Sequence, residues 1–215
     1  MQRTLIVGDI HGCRAELEEL LAAAGLSKKR DRLISVGDVV AKGPDSHGAV
    51  KLLRDWKAVA VKGNHDAHVL KFRRGEPMKK EHRAVARTLT EPDWQYLEAM
   101  PLFLRLPGLI IVHGGVLQGV PLEQQEEASL CNMRSLDAQG RWSKRLEDGE
   151  PWASLWPGPE RVIFGHDAVR GLQQWPHALG LDTGCVYGRR LTGLLLPDDE
   201  LVSVAAHKEW TPMFP

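Results

Sequence analysis

Apolar positions along the chain fall into a repeating rhythm. Thr4 to Val7 is a short apolar run halted by Gly8, and Glu16, Leu17, Leu20 and Leu21 follow at helical spacing, which predicts strand, loop, helix. Leu33 to Val36 repeats the arrangement and ends on Gly37-Asp38, with Ala49, Val50, Leu52 and Leu53 on the next helix. A third copy runs from Ala58-Val59-Ala60-Val61 into Gly63-Asn64-His65-Asp66. Three successive β-loop-α units predict a parallel sheet with helices on its faces. Sheets of that kind bind ligands beyond the carboxyl ends of their strands, which is where this chain places its Asp, Asn and His residues.

The pattern then changes. From about Lys71 to Met100 it reads as helical and basic, and Thr90-Glu91-Pro92-Asp93 has the hydroxyl, early proline and carboxylate of a helix start, leading a helix with Trp94, Leu97 and Met100. Leu102 to Leu106 and Leu109 to Val112 predict two strands around Pro107-Gly108, the second delivering His113. Gln118 to Pro159 is irregular and is expected to cover the site. Arg161 to Phe164 predicts a strand ending at Gly165-His166, and Ala178 to Asp182, Arg190 to Leu196 and Leu201 to Ala205 read as closing strands, so the C-terminal half is expected to be antiparallel.

With 215 residues and no Gly/Ser/Pro-rich linker, residues 1–215 are expected to form one domain. The 28 basic and 28 acidic residues cancel, so the chain lacks the bulk charge of a duplex nucleic-acid binder. No window approaches the roughly twenty apolar residues of a membrane span, and Leu5-Ile6-Val7 is too short for a signal peptide core. Three cysteines, Cys13, Cys131 and Cys185, are odd in number and read as packing residues of a reducing compartment. Thiolate ligation by Cys13 or Cys185, which adjoin glycine-rich motifs, is the lesser reading. A cytoplasmic location is expected.

Five clusters carry the chemistry: Asp9-Ile10-His11-Gly12, Gly37-Asp38, Gly63-Asn64-His65-Asp66, His113-Gly114 and Gly165-His166. Turn formation alone would select Gly, Asp and Asn, but it does not explain histidine recurring beside glycine at strand ends. Gly8 and Gly12 would let backbone approach an ion closely. Oxygen and imidazole ligands together suit manganese, iron or zinc rather than a soft thiolate-loving ion. A pair of such ions, roughly 3.5–4 Å apart, suits in-line displacement at phosphorus.

The motifs GDIHG (8–12), GDVVAKG (37–43), GNHD (63–66), HGG (113–115) and GH (165–166) resemble those of the calcineurin-like metallophosphoesterases, within them the phosphoprotein-phosphatase group. Lys42-Gly43-Pro44-Asp45-Ser46 and Leu181 to Gly188 are most similar to symmetrical diadenosine tetraphosphatases and ApaH-like phosphatases. The resemblance implies a four-layer α/β-β/α sandwich. It implies two divalent ions, manganese first among Mn, Fe, Zn, Co and Ni, with Asp9, His11 and Asp38 on one and Asp38, Asn64, His113 and His166 on the other. It implies attack by a metal-bridging hydroxide, with His65 as general acid oriented by Asp66. Lys42, where the group's protein phosphatases usually have arginine, and Arg134 are candidate phosphate-binding residues, and Arg189 and Arg190 weaker ones. Gly114-Gly115 replaces the usual Ala-Gly.

The expected substrate is a dinucleoside polyphosphate such as diadenosine tetraphosphate, cleaved symmetrically to ADP. The alternatives are a Ser/Thr or Tyr protein phosphatase, a polyphosphatase, and a non-catalytic metal-binding module. Basic residues from Lys71 to Arg87 could steer a polyanion or simply face solvent. Trp142, Trp152, Trp156 and Trp175 could stack on a base or pack in a core.

Overall fold

In the computed structural model, which describes residues 2–213, the three β-loop-α units form as the pattern predicts. Strands β1 (Thr4–Val7), β2 (Arg32–Ser35) and β3 (Val59–Ala60) pair in parallel, with α1 (Arg14–Ala23) and α2 (Ser46–Asp55) between them and α3 (Asn64–Leu70) after the third. Asp45 caps α2 by accepting from the Gly48 N–H at 2.7 Å. The basic stretch divides into α4 (Lys80–Ala86) and α5 (Glu91–Glu98), the latter opened by the expected Thr90–Asp93 capping box. Arg73 makes a two-pronged pair with Glu91, so part of the basic run is neutralised by acids of α5.

A hairpin of β4 (Phe103–Leu106) and β5 (Leu109–Val112) follows. The irregular segment contains α6 (Glu127–Asn132) and a small sheet of β6 (Ser135–Leu136), β7 (Trp142–Ser143) and β8 (Glu150–Pro151). The chain then adds β9 (Arg161–Phe164), β10 (Gln173–Trp175), β11 (Ala178–Gly180), β12 (Arg190–Leu196) and β13 (Glu200–Ala205). These strands build two five-stranded sheets, ordered β13-β12-β1-β2-β3 and β10-β11-β9-β5-β4.

The expectation of an antiparallel C-terminal half holds for β12 and β13 but fails for β9, which lies parallel to both β5 and β11. The segment between β5 and β9 is long enough to act as a crossover, which parallel pairing requires.

Alternation along the strands sorts the core into three zones. Ile6, Ile34 and Val36 of the first sheet meet Ile111, Ile163 and Leu179 of the second between the sheets. Leu5, Val7 and Leu33 face outward onto Leu17, Leu20, Val50, Leu53 and Leu97 of the helices. On the far side, Ile110, Val162 and Phe164 pack on Leu130, Met133 and Trp152. Each fully buried large apolar side chain of this kind contributes roughly 1.5–3 kcal/mol relative to exposure. The expected four-layer order is present, with a thin outermost layer made of α6, short 3-10 turns and the small sheet. Among the described residues no helix is long and apolar enough to cross a membrane.

Candidate functional site

The parallel strands of both sheets run out at one cavity of about 270 Å³, lined by Asp9, His11, Asp38, Lys42, Asn64, His65, Arg134, His166, Asp182 and Tyr187 among others. Asp9 and His11 follow β1, Asp38 follows β2, Asn64 opens α3, His113 follows β5 and His166 follows β9. Three of these residues, His11, Asp38 and His166, have φ of 46°, 49° and 69°. Left-handed backbone at non-glycine residues costs on the order of 1–3 kcal/mol each and clusters at functional sites. Gly165 permits the close approach of two of the loops, because a Cβ there would lie 2.1 Å from Asp9 Oδ1.

Asp38 sits at the centre of the group. Its Oδ2 is 3.4 Å from both His11 Nε2 and His113 Nε2, and Asp9 Oδ2 is 4.0 Å from His11 Nε2. Asn64 Oδ1 stands 3.1 Å from His113 Nε2 and 3.0 Å from His166 Nδ1.

The far nitrogen of each imidazole fixes its tautomer. His11 and His113 donate from Nδ1 to the carbonyls of Val40 at 3.2 Å and Val36 at 2.9 Å, and His166 donates from Nε2 to the carbonyl of Asn132 at 3.1 Å. Each neutral ring therefore turns a lone pair toward the cavity, the usual orientation of metal-binding histidines. Asp38 Oδ2, His113 Nε2, Asn64 Oδ1 and His166 Nδ1 then meet acceptor against acceptor. That arrangement is repulsive until positive charge enters it, so this donor set fits divalent ions, with Asp9, His11 and Asp38 as one compact group.

Electrostatics agree with that reading. Burial keeps His11 and His166 well below the ordinary histidine range, as ligand imidazoles need to be. Burial acts the same way on His113, but Asp38 and Asp9 outweigh it and raise the ring to about 10, so with no ion present a proton takes the place between His113 Nε2 and Asp38 that a divalent cation would take, and the ring is a neutral ligand only once that proton is displaced. Burial, and then the neighbouring Asp182, push Asp9 up.

His65 lies where the motifs place it, lining the cavity, with its backbone N–H donating to Asp38 Oδ1 at 2.8 Å. Burial lowers its pKa to about 3. The expectation that Asp66 orients this ring is corrected by the structure. Asp66 is fully buried and accepts from the backbone N–H groups of Val39, Val40 and Gly63 at 3.0–3.2 Å, so it ties the GNHD and GDVV loops together. An acid three residues after a helix N-cap is a capping position, and that signal was present in the motif. The ring of His65 instead meets His82, with Nδ1 2.9 Å from His82 Nε2.

Lys42 points its ammonium at the site, 3.3 Å from His11 Nε2 and 2.6 Å from the Tyr187 hydroxyl. Arg134 also lines the cavity, but it donates to the carbonyls of Lys144 and His166, and its buried Nε makes no hydrogen bond but lies 3.8 Å from Asp167 Oδ1. Arg189 and Arg190 turn to Ala168 and Ser203. None of the four tryptophans lines the cavity: Trp152 packs on Phe164, and Trp142 and Trp156 lie half-buried on the same core. Cys13 and Cys185 form a buried group with Glu16 outside the cavity lining. Residues the sequence reading missed are His82, Tyr187 and the cavity-lining Asp182; the last two fall in the 181–188 motif, whereas a lone histidine on a charged helix carried no signal.

The sequence model of calcineurin-like phosphoesterases matches residues 2–183. The chain belongs to the calcineurin-like phosphoesterase family. Members of this family are hydrolases that use a pair of divalent ions. This phosphoesterase is 30% identical to a symmetrical bis(5'-nucleosyl)-tetraphosphatase of Psychromonas ingrahamii, over 96% of this chain and 98% of that one. It is 29% identical to the asymmetrical bis(5'-nucleosyl)-tetraphosphatase PrpE of Oceanobacillus iheyensis, over 94% and 92%. A crystal structure of a candidate diadenosine tetraphosphatase superposes with a TM-score of 0.89 at 42% identity, covering 95% of this phosphoesterase and 93% of that chain.

Proposed function

We propose that this phosphoesterase hydrolyses the phosphoanhydride chain of dinucleoside polyphosphates such as diadenosine tetraphosphate, cleaving symmetrically to ADP. The observation that carries the reading is the adjacency of two cavities. The ligand cavity shares Lys42, His65, Tyr187 and Met213 with a groove of about 610 Å³, whose other walls include Ala41, His82, Val85 and Pro212. A small polar chamber suited to phosphates thus adjoins, across a lysine and an aromatic ring, a larger, more apolar space suited to a nucleoside.

Asp9, His11 and Asp38 would hold one ion and Asp38, Asn64, His113 and His166 the other, probed best as manganese. Two ions there would polarise phosphoryl oxygens and activate water as the nucleophile. The chain's own residues supply the rest. Lys42, held by Tyr187, meets phosphate oxygen as a point charge between chamber and groove. Arg134 contributes positive charge from the opposite wall. His65 meets the departing oxygen as a hydrogen-bond donor. Asp66 and the carbonyls of Val36, Val40 and Asn132 hold these groups in register.

Relatives of both cleavage patterns bear on the products, so the test reads them directly. Manganese-loaded protein incubated with diadenosine tetraphosphate should yield ADP alone, in a reaction abolished by EDTA. ATP with AMP would move the attacked phosphorus and favour the asymmetrical reading. An intact nucleotide beside a dephosphorylated phosphopeptide would replace the substrate with a phosphoprotein.

A further inference from the structure

His65 and His82 form a contact that the ligand set does not explain. Their rings lie 5.0 Å apart with planes inclined by only 21°, and the 2.9 Å separation of His65 Nδ1 and His82 Nε2 is a hydrogen bond. His82, on α4, is 4% exposed. Its other nitrogen, Nδ1, is buried with no hydrogen-bond partner, and the nearest carboxylate oxygen, Glu81 Oε1, is 4.0 Å away. Asp66 is engaged by three backbone N–H groups, so His82 is the ring's partner in the place where a carboxylate was expected.

A third proton on this pair of rings would have to sit on His82 Nδ1, which has no acceptor, so the rings share two protons, and one of them lies in the contact. If His65 donated it, His82 would have to carry its own proton on Nδ1, an N–H buried without an acceptor. If His82 donates from Nε2, its Nδ1 is a bare lone pair and no donor is orphaned; the second proton then sits on His65 Nε2. Leaving a buried donor unpaired is the costlier choice, so the second arrangement prevails. Among the described residues no group bonds His65 Nε2, which is the nitrogen left to meet substrate.

We infer that His82 is a positioning residue: it donates to Nδ1 of His65 and so fixes that ring as a neutral hydrogen-bond donor at Nε2, matched to leaving groups that depart without taking a proton. A carboxylate partner would favour the imidazolium and suit alkoxide leaving groups; an imidazole partner does not. The oxygen of water bonds to phosphorus as the P–O bond to the leaving group breaks, its electron pair going to a nucleotide phosphate or an acidic phenol's oxide such as p-nitrophenoxide; the water's proton passes to solvent and the proton on His65 stays there. This rests on the proposed phosphohydrolase reading with His65 at the departing oxygen, and it narrows the substrate class to phosphoanhydrides and aryl phosphates of acidic phenols, away from phenyl phosphate and phosphoserine.

Zinc-loaded, 15N-histidine-labelled protein, with His65 assigned by difference from a His65→Ala sample, should show His65 protonated at Nε2. Protonation at Nδ1 overturns the inference. In manganese-loaded enzyme, His82→Leu should lower kcat by roughly 10–100-fold with little change in KM, and His82→Gln, whose amide still donates, should restore most of it. His82→Glu should shift the ratio of phenyl phosphate to p-nitrophenyl phosphate turnover about tenfold toward phenyl phosphate, by allowing His65 to act as an acid. The inference falls if His82→Leu costs as much in a His65→Ala background as alone, or if the ratio is unmoved by a folded His82→Glu protein. If His65→Ala itself turns over like the parent, the role of His65 in the proposed function falls with it.

Discussion

The two sheets bring different chemistry to one cavity. From the first come Asp9, His11, Asp38 and Asn64, including both carboxylates of the ligand set; from the second come His113 and His166, which are imidazoles only. The first sheet therefore supplies the charge that makes a cation welcome, and the second supplies neutral lone pairs that complete its geometry. Charge and geometry should fail differently when removed.

Asp38→Asn keeps the shape of the shared ligand and removes its charge, so it carries the largest expected effect. Activity should fall on the order of 10³-fold, as when an electrostatic stabiliser is removed from a water-poor site, and bound manganese should fall for both positions. His166→Ala should cost about 10–100-fold and recover in part with excess manganese, because the charged side of the site is intact. Metal content by elemental analysis, alongside activity titrated with manganese, checks both. Equal, unrecoverable losses would break the division between the sheets.

The same contrast governs what was legible. The meeting of the first sheet's candidate ligands at one cavity could be read from local pattern, because each apolar run of the β-loop-α units ends on a glycine and an Asp, Asn or His within a few residues. His113 and His166 were legible for the same reason, although the parallel pairing of β9 was not: a crossover hidden in an irregular segment leaves no periodicity. The partners of the ligands were less visible. Asp66 was expected to orient His65 because the resemblance implied it, yet on α3 successive residues point in different directions and its carboxylate turns inward to backbone. His82 is 17 residues from His65 and meets it only because α4 packs on α3. The role of the tryptophans, base stacking or core packing, stayed open for a related reason, since composition does not report which wall a ring joins.

Gly114 sharpens the comparison on the second sheet alone. A Cβ there would lie 2.7 Å from the backbone nitrogen of Asn132 and 2.8 Å from the carbonyl carbon of Cys131, atoms that cannot swing aside as a side chain end can. The carbonyl of the same Asn132 holds His166. Gly114→Ala should therefore destabilise by about 1–3 kcal/mol, lowering Tm by about 2–4 °C for each kcal/mol. Manganese affinity should weaken as in His166→Ala, with the Asp9, His11 and Asp38 group unaffected. Thermal unfolding and metal titration of one sample would show both changes; an unchanged Tm would mean that the α6 segment relaxes freely.

The smallest expected effect lies at the opposite end of the first sheet, where its strands begin and no ligand stands. Asp31 accepts from the Ser27 N–H at 2.8 Å and the Arg3 N–H at 3.1 Å, and pairs with the Arg3 guanidinium at 3.2 Å. The bonds from Ser27 and then Arg3 favour its charged form and lower its pKa from 3.8 to about 2. Because the folded value is the lower one, the carboxylate's stabilisation is fully present above the unfolded pKa and disappears as pH falls from about 4 toward 2. Asp31→Asn should thus flatten the dependence of the urea midpoint on pH in that interval, and at neutral pH it should lose the part of the stabilisation that depends on charge, while the amide oxygen still accepts from the backbone. The measurement belongs on EDTA-treated protein, since proton-linked release of metal would add a slope of its own. A slope unchanged by the substitution would place the acid sensitivity of the first sheet at its ligand end, making the cavity carboxylates the weak point of the fold as well as its source of charge.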